Sequence, residues 1–207
     1  MPRIIETAVY TFDELSEPAK ERAREWMREC VSQDWDADYV LSDAAEVCKI
    51  LGIDLSTRTV KLMNGTTRQE PEISYSGFYS QGDGASFTGQ YRHAKNATKM
   101  IRQHAPEDSE LHAIADTLQQ VQRRYFYSLT ADLTRQSHQY SHEHTVSIEC
   151  ESDRRSVTDA DAETVADALR DVMRWTYRQL EQEYDYQLSD KQIDETIEAN
   201  EYTFDEN

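Results

Sequence analysis

Residues Glu72–Tyr91 read EISYSGFYSQGDGASFTGQY, and this stretch decides the fold class. Four of the chain's six glycines (Gly77, Gly82, Gly84 and Gly89) fall within it, among Tyr75, Phe78, Tyr79, Phe87 and Tyr91. The flanks, Glu72–Tyr79 and Ala85–Tyr91, are β-patterned, and Ser80-Gln81-Gly82-Asp83-Gly84 between them suits a turn, so the stretch predicts a hairpin. Two extended runs joined by so short a connection pair antiparallel.

Working outward, Thr57–Leu62 reads as a further strand ended by Asn64-Gly65, His144–Cys150 alternates as another, and Arg3–Phe12 opens the chain as a first. Helical spacing marks the remainder. Ser16 with Pro18 starts a helix whose inward residues are Ala19, Ala23, Trp26, Met27 and Cys30. A second runs from about Asp36 to Leu51, stopped by Gly52. The period turns helical again after Lys95 until Pro106, and a long helix is expected from Ser109 to Gln136, with Leu129 and Leu133 in its stripe. Another runs from Asp159 to about Leu188, and Ser189 with Gln192 caps a last one through Ala199. The expectation is α+β: an antiparallel sheet of about five strands with long amphipathic helices packed on one face. One domain is expected over 1–207, with the acidic helix 189–199 peripheral to it. Tyr10-Thr11-Phe12-Asp13-Glu14 recurs as Tyr202-Thr203-Phe204-Asp205-Glu206. This echo is either coincidence in a Tyr- and Asp-rich chain or two strand ends of one sheet.

The chain has 207 residues with 22 basic and 40 acidic side chains, a formal net charge of −18. Such a balance argues against general binding to nucleic-acid phosphates. No apolar run reaches a membrane span and no leader pattern is present, so no membrane association is expected. Three scattered cysteines make no disulfide framework, and a reducing cytoplasm, that of a host cell, is the expected compartment. The charge is uneven. Residues 52–104 carry seven basic and four acidic side chains, whereas residues 153–207 carry six and sixteen.

No phosphate-loop string, nucleophile elbow or HExxH motif occurs, so no catalytic residues and no cofactor are assigned, and the chain reads as non-enzymatic. His138, His142 and His144, near Glu143 and Cys150, have metal-like spacing only in part. They read as turn histidines, and no metal is expected. Cys30 and Cys48 lie on apolar helix faces and read as inert core thiols. Tyr125 reads as buried, with Arg123 and Arg124 solvated.

The segments YTFDELSEPAKERAREWMRE (10–29), SGFYSQGDGASFTGQY (76–91) and IDETIEANEYTF (193–204) resemble a family of small phage- and prophage-encoded proteins of uncharacterised function. Some members carry the label of an antitoxin from a toxin–antitoxin stability system. The resemblance covers most of the chain except residues 95–159, and it implies a phage accessory context without supplying catalytic residues. Antitoxins commonly pair a DNA-binding segment with a disordered tail, and this sequence shows neither.

Two binding surfaces follow from these readings. The first is acidic: Asp159, Asp161, Glu163, Asp167, Asp171, Glu181 and Glu183 on the late helices would mimic nucleic acid. The chain would then inhibit a host protein such as a defence complex, a nuclease or a toxin, in the manner of an anti-CRISPR or anti-restriction factor. The second is the hairpin. Tyr75, Phe78 and Tyr79 would stack on a small ligand or nucleotide, Gln81, Gly82, Asp83 and Gly84 would form the loop around it, and Arg92 and Lys95 would pair with phosphate. The sequence does not specify an oligomeric state.

Overall fold

The computed structural model describes residues 8–135 and 141–205. The chain divides into two compact units, one made of residues up to Ala37 with those from Glu181 onward, the other of Asp38–Leu180.

In the first unit an early and a late segment of the chain pair. β1 (Tyr10–Thr11) pairs antiparallel with β10 (Thr203–Phe204), Tyr10 opposite Phe204 and Thr11 opposite Thr203. The YTF echo therefore pairs with itself, about a local two-fold passing between the two threonines. Within the described part of the expected strand over Arg3–Phe12, only Tyr10–Thr11 is strand. Phe12 already begins a 3-10 turn (Phe12–Glu14), and residues 1–7 lie outside the described set. α1 (Glu17–Gln33) buries Ala19, Ala23 and Met27, spaced by four, against Ile193 and Ile197 of α6 (Asp190–Ala199). Trp26 and Cys30 were expected inward. Both are exposed: Trp26 stands about 60° round the helix from the middle of that row, its ring edge-on to Tyr202 and Phe204, and Cys30, in line with the row, lies past its last buried residue, Met27. Ile193 and Ile197 are fully buried, so α6 belongs to a core and is not peripheral. Arg24 fixes α6 with a bidentate pair to Asp194, at 2.7 and 2.8 Å.

The second unit is α+β. β2 (Ile53–Leu55), β7 (Gly89–Arg92), β8 (Leu129–Arg135) and β9 (Val146–Ser152) form an antiparallel sheet in the order β2-β7-β8-β9. The largest sheet thus has four strands where about five were expected. Its cross-strand rows show which face is covered. Ile53, Tyr91, Ala131 and Cys150 lie in register, as do Leu55, Gly89, Leu133 and Ile148, and these rows belong to the core. The row between them, Asp54, Gln90, Asp132 and Glu149, is polar, and Gln90 donates to Asp132 at 2.9 Å. One face is buried and the other is wet. The covering residues come from α2 (Asp38–Leu51), α3 (Ala97–His104), α4 (Ser109–Arg124) and the part of α5 (Asp159–Gln187) before Glu181. Asp108 caps α4, accepting from the amides of Glu110 and Leu111, and its second oxygen accepts from the Trp175 indole at 2.7 Å.

α4 ends sooner than its periodicity implies. Phe126 and Tyr127 have φ of 53° and 62°, which turns the chain out of the helix and into β8. Leu129 and Leu133, four apart, satisfy a helical and a β period alike. Ala131, buried between them, belongs only to the β pattern. Tyr125 is fully buried at this turn and Arg123 and Arg124 are exposed, as expected.

The Asn64-Gly65 turn joins β3 (Thr57–Lys61) to β4 (Thr67–Pro71), a partner strand whose polar TRQEP sequence carries no hydrophobic alternation. The decisive stretch does form a hairpin, but a shorter one. β5 (Ile73–Ser76) pairs with β6 (Gly84–Phe87), and the chain breaks at Thr88 before entering the central sheet as β7. Among the described residues no helix is long and apolar enough to cross a membrane.

Candidate functional site

Loop 77–83 presents the aromatic side chains of the hairpin, and its turn chemistry explains its shape. Asp83 accepts from the Ser80 amide at 2.7 Å, closing the loop on itself, and Gly82 has φ of 93°. Asp83 is therefore held as a turn residue, while Gln81 and Gly82 are exposed. Tyr79 also takes positive φ, 71°, and leaves its ring 69% exposed. Phe78 lies near-parallel to Tyr75 (centroids 6.3 Å apart, planes at 25°) and to Tyr177 of α5 (5.8 Å, 29°), and the Tyr177 hydroxyl donates to the Gly77 carbonyl at 3.4 Å. A row Tyr75–Phe78–Tyr177 results, with Tyr79 tilted against Phe78 at 6.4 Å.

The other side of the hairpin rests on a 3-10 turn, Glu143–Thr145. Ser76 donates to the Ser141 carbonyl at 3.1 Å, and Arg135, at the end of β8, donates to the hydroxyls of Ser74 at 3.1 Å and Ser141 at 2.6 Å. Thr145 closes the turn with its amide and hydroxyl on the His142 carbonyl, at 2.8 and 2.7 Å. A Cβ on Gly84 would stand 3.0 Å from His142 Cδ2 and 3.2 Å from the Ser141 carbonyl oxygen, so glycine there leaves room for the imidazole.

Glu143 is only 7% exposed. One carboxylate oxygen lies 3.1 Å from His142 Nδ1, and the other lies 3.3 Å from Arg174 Nη1 and 3.9 Å from His144 Nε2. Asp171 pairs with the same guanidinium and, with Glu143, holds its pKa above the ordinary value against the opposing effect of burial. The His142 and His144 rings stack at 5.3 Å. One donor atom from each of His142, Glu143 and His144 lies within 4.8 Å of the others, the residues here that could hold a metal. His138 lies outside the described residues.

The hairpin aromatics and two of the three clustered histidines thus come together, joined by Arg135, Ser141, Arg174 and Tyr177. These last four give no local sequence signal, because strand end, turn and helix converge only in three dimensions. Arg92 and Lys95 do not join them. Arg92 ends β7, pairs with Asp54 at 3.6 Å and lines a cleft of about 650 Å³ with Lys49, Gly52 and His93, and Lys95 is exposed beyond it. The acidic residues also separate. Asp159, Glu163 and Asp167 are exposed at intervals of four on α5, Asp167 pairing with Arg170 at 3.2 Å. Asp161 is buried, accepting from the Tyr125 hydroxyl at 2.7 Å and pairing with Arg124 at 2.9 Å, so it offers no mimic surface. Asp171 is tied to Arg174, and Glu181 and Glu183 are half-buried in the other unit.

Residues 35–190 match a family described as a domain of unknown function, DUF8835. The chain belongs to the DUF8835 family. No curated protein and no solved structure matches it.

Proposed function

We propose that this DUF8835 protein acts by binding another protein, without catalysis, and that the hairpin–histidine face of the second unit is its contact surface. Tyr79 carries the reading. A non-glycine residue at positive φ costs about 1–3 kcal/mol and persists where its surroundings over-determine it. Here that strained backbone supports an aromatic ring left 69% exposed beside a stacked row. An exposed tyrosine beside a stacked aromatic row has the composition of a protein-binding hot spot. The resemblance to phage-encoded chains supports a host protein as the partner, a defence factor or a toxin. The dispersal of the acidic residues favours this face over nucleic-acid mimicry by α5. Affinity purification from expressing cells, with cross-link mapping, tests it. A partner cross-linked through residues 75–84 is expected, and cross-links confined to Asp159, Glu163 and Asp167 would move the site to the acidic stripe.

The near-parallel row Tyr75–Phe78–Tyr177 favours a second reading, a planar ligand stacked on the loop. A nucleotide at about 100 times its Kd would stabilise the fold by about 2.7 kcal/mol. Flat melting curves across a nucleotide panel would dismiss it.

A further inference from the structure

We propose a divalent-cation site of zinc type at the 3-10 turn, with His142 Nδ1, a Glu143 carboxylate oxygen and a His144 ring nitrogen as ligands and water completing the shell. Three observations carry it, none of which depends on the partner-binding reading.

The first is reach. Ligands about 2.1 Å from a tetrahedral ion stand about 3.4 Å from one another. His142 Nδ1 already approaches one Glu143 oxygen to 3.1 Å, and His144 Nε2 lies 3.9 Å from the other oxygen, the one beside Arg174. The trio, within 4.8 Å overall, closes around an ion by swinging His144, whose side chain is 65% exposed.

The second is a conflict at one atom. His142 Nδ1 accepts from the His144 amide at 3.2 Å and also faces the Glu143 carboxylate at 3.1 Å. A single ring nitrogen cannot accept at the first contact and donate at the second. With Nδ1 protonated, the ring donates to Glu143 and the His144 amide loses its acceptor; with Nδ1 unprotonated, nitrogen confronts carboxylate oxygen, two acceptors in contact. A cation bound to both makes that contact attractive.

The third is support around the ligands. Glu143 is buried and its other oxygen is held by Arg174, an outer partner that fixes the carboxylate's direction, while Asp171 offsets the arginine's charge. Gly84 leaves the space in which the His142 ring stands. Two neutral imidazoles and one carboxylate carry a charge of −1 and mix nitrogen with oxygen, which suits Zn²⁺ and the neighbouring transition ions. Ca²⁺ and Mg²⁺ prefer all-oxygen shells.

The experiment is calorimetric titration of ZnCl2 into the full chain, stripped with chelator and dialysed, with melting curves recorded for every variant. One Zn²⁺ per chain is expected, not displaced by millimolar Mg²⁺ or Ca²⁺. His142→Ala and His144→Ala should each weaken binding by at least about tenfold, and His104→Ala, whose ring pairs with Asp43, should not. His144 is exposed, so its variant will fold and the test stands even if Glu143→Gln does not. Cobalt(II) in place of zinc should give the visible absorption of a four-coordinate ion. Absence of zinc binding, wild-type affinity in both histidine variants, or full competition by Mg²⁺ would overturn the site.

Discussion

Gly84 and His142 are in such close contact that a single methyl group on the glycine would stand 3.0 Å from the imidazole Cδ2 and 3.1 Å from His142 Cα. This contact couples the hairpin to the 3-10 turn. Gly84→Ala should displace the turn, lower the melting temperature by the equivalent of about 1–3 kcal/mol of overpacking, and shift the His142 ring resonances. Gly82→Ala meets open space but sits at φ of 93°. It should cost about 1–2 kcal/mol through the backbone alone and leave the His142 resonances in place. NMR spectra of the two variants separate the mechanisms, and equal His142 shifts in both would contradict the coupling.

Tyr125 and Asp161 form a buried hydrogen-bonded pair, and the tyrosine oxygen also accepts from the Thr158 amide at 3.1 Å. Tyr125→Phe leaves the carboxylate and the amide short of a partner, so denaturant melts should show a loss of about 1–3 kcal/mol.

The same pair sets a pH dependence. The Tyr125 hydroxyl holds the Asp161 carboxyl below its ordinary value; burial opposes it, and Thr158, Arg124 and Arg155 reinforce it. A carboxyl with lowered folded pKa contributes stability above its unfolded pKa of about 3.9 and loses it as pH falls through the folded value. The stability difference between wild type and Asp161→Asn should be constant above about pH 5 and shrink as pH falls below about 4. A constant difference down to pH 2 would rule the assignment out.

In the first unit, Trp26 stands edge-on to Tyr202 at 5.3 Å and to Phe204 at 5.9 Å. Trp26→Ala removes two aromatic contacts of about 0.5–1.5 kcal/mol each. The C-terminal segment should then be cut faster beyond Ala199 in limited proteolysis, and an unchanged cleavage rate would show that β10 holds without the indole.

The cysteines should label unequally. Cys30 is exposed, Cys48 is buried with its thiol pushed up by burial, and Cys150 is pushed up to about 11 by the same cause. At pH 8 a thiol reagent should modify Cys30 first and one equivalent only before unfolding. Prompt reaction of Cys48 would place it outside the core.

These residues also show what the sequence carries. The α+β class follows from local period and turn chemistry, so the hairpin, the Asn64-Gly65 turn and the helices with caps or stops were legible. Leu129 and Leu133 misled because a spacing of four serves both periods. β4 was missed because an exposed polar strand has no alternation to detect. At the site, the glycines announced a close approach without saying to what, and the adjacent His142, Glu143 and His144 were visible while the burial of Glu143 was not. Arg92 and Lys95 were joined to the loop on charge and proximity in sequence alone, and the central sheet carries them elsewhere. The YTF echo was legible as a repeat, but only the β1–β10 register shows that its copies face each other.

The measurement that bears most directly on the proposed contact surface is the affinity of the captured partner for three forms of the chain at low and high salt. These are wild type, Tyr79→Ala, and the triple variant Asp159→Asn, Glu163→Gln, Asp167→Asn. Loss of an exposed aromatic anchor should weaken binding by about thirtyfold or more, an effect of about 2 kcal/mol, while the triple variant binds within about threefold of wild type at both salt concentrations. Wild-type affinity in Tyr79→Ala, together with salt-sensitive loss in the triple variant, would contradict the account and place the partner on the acidic stripe of α5.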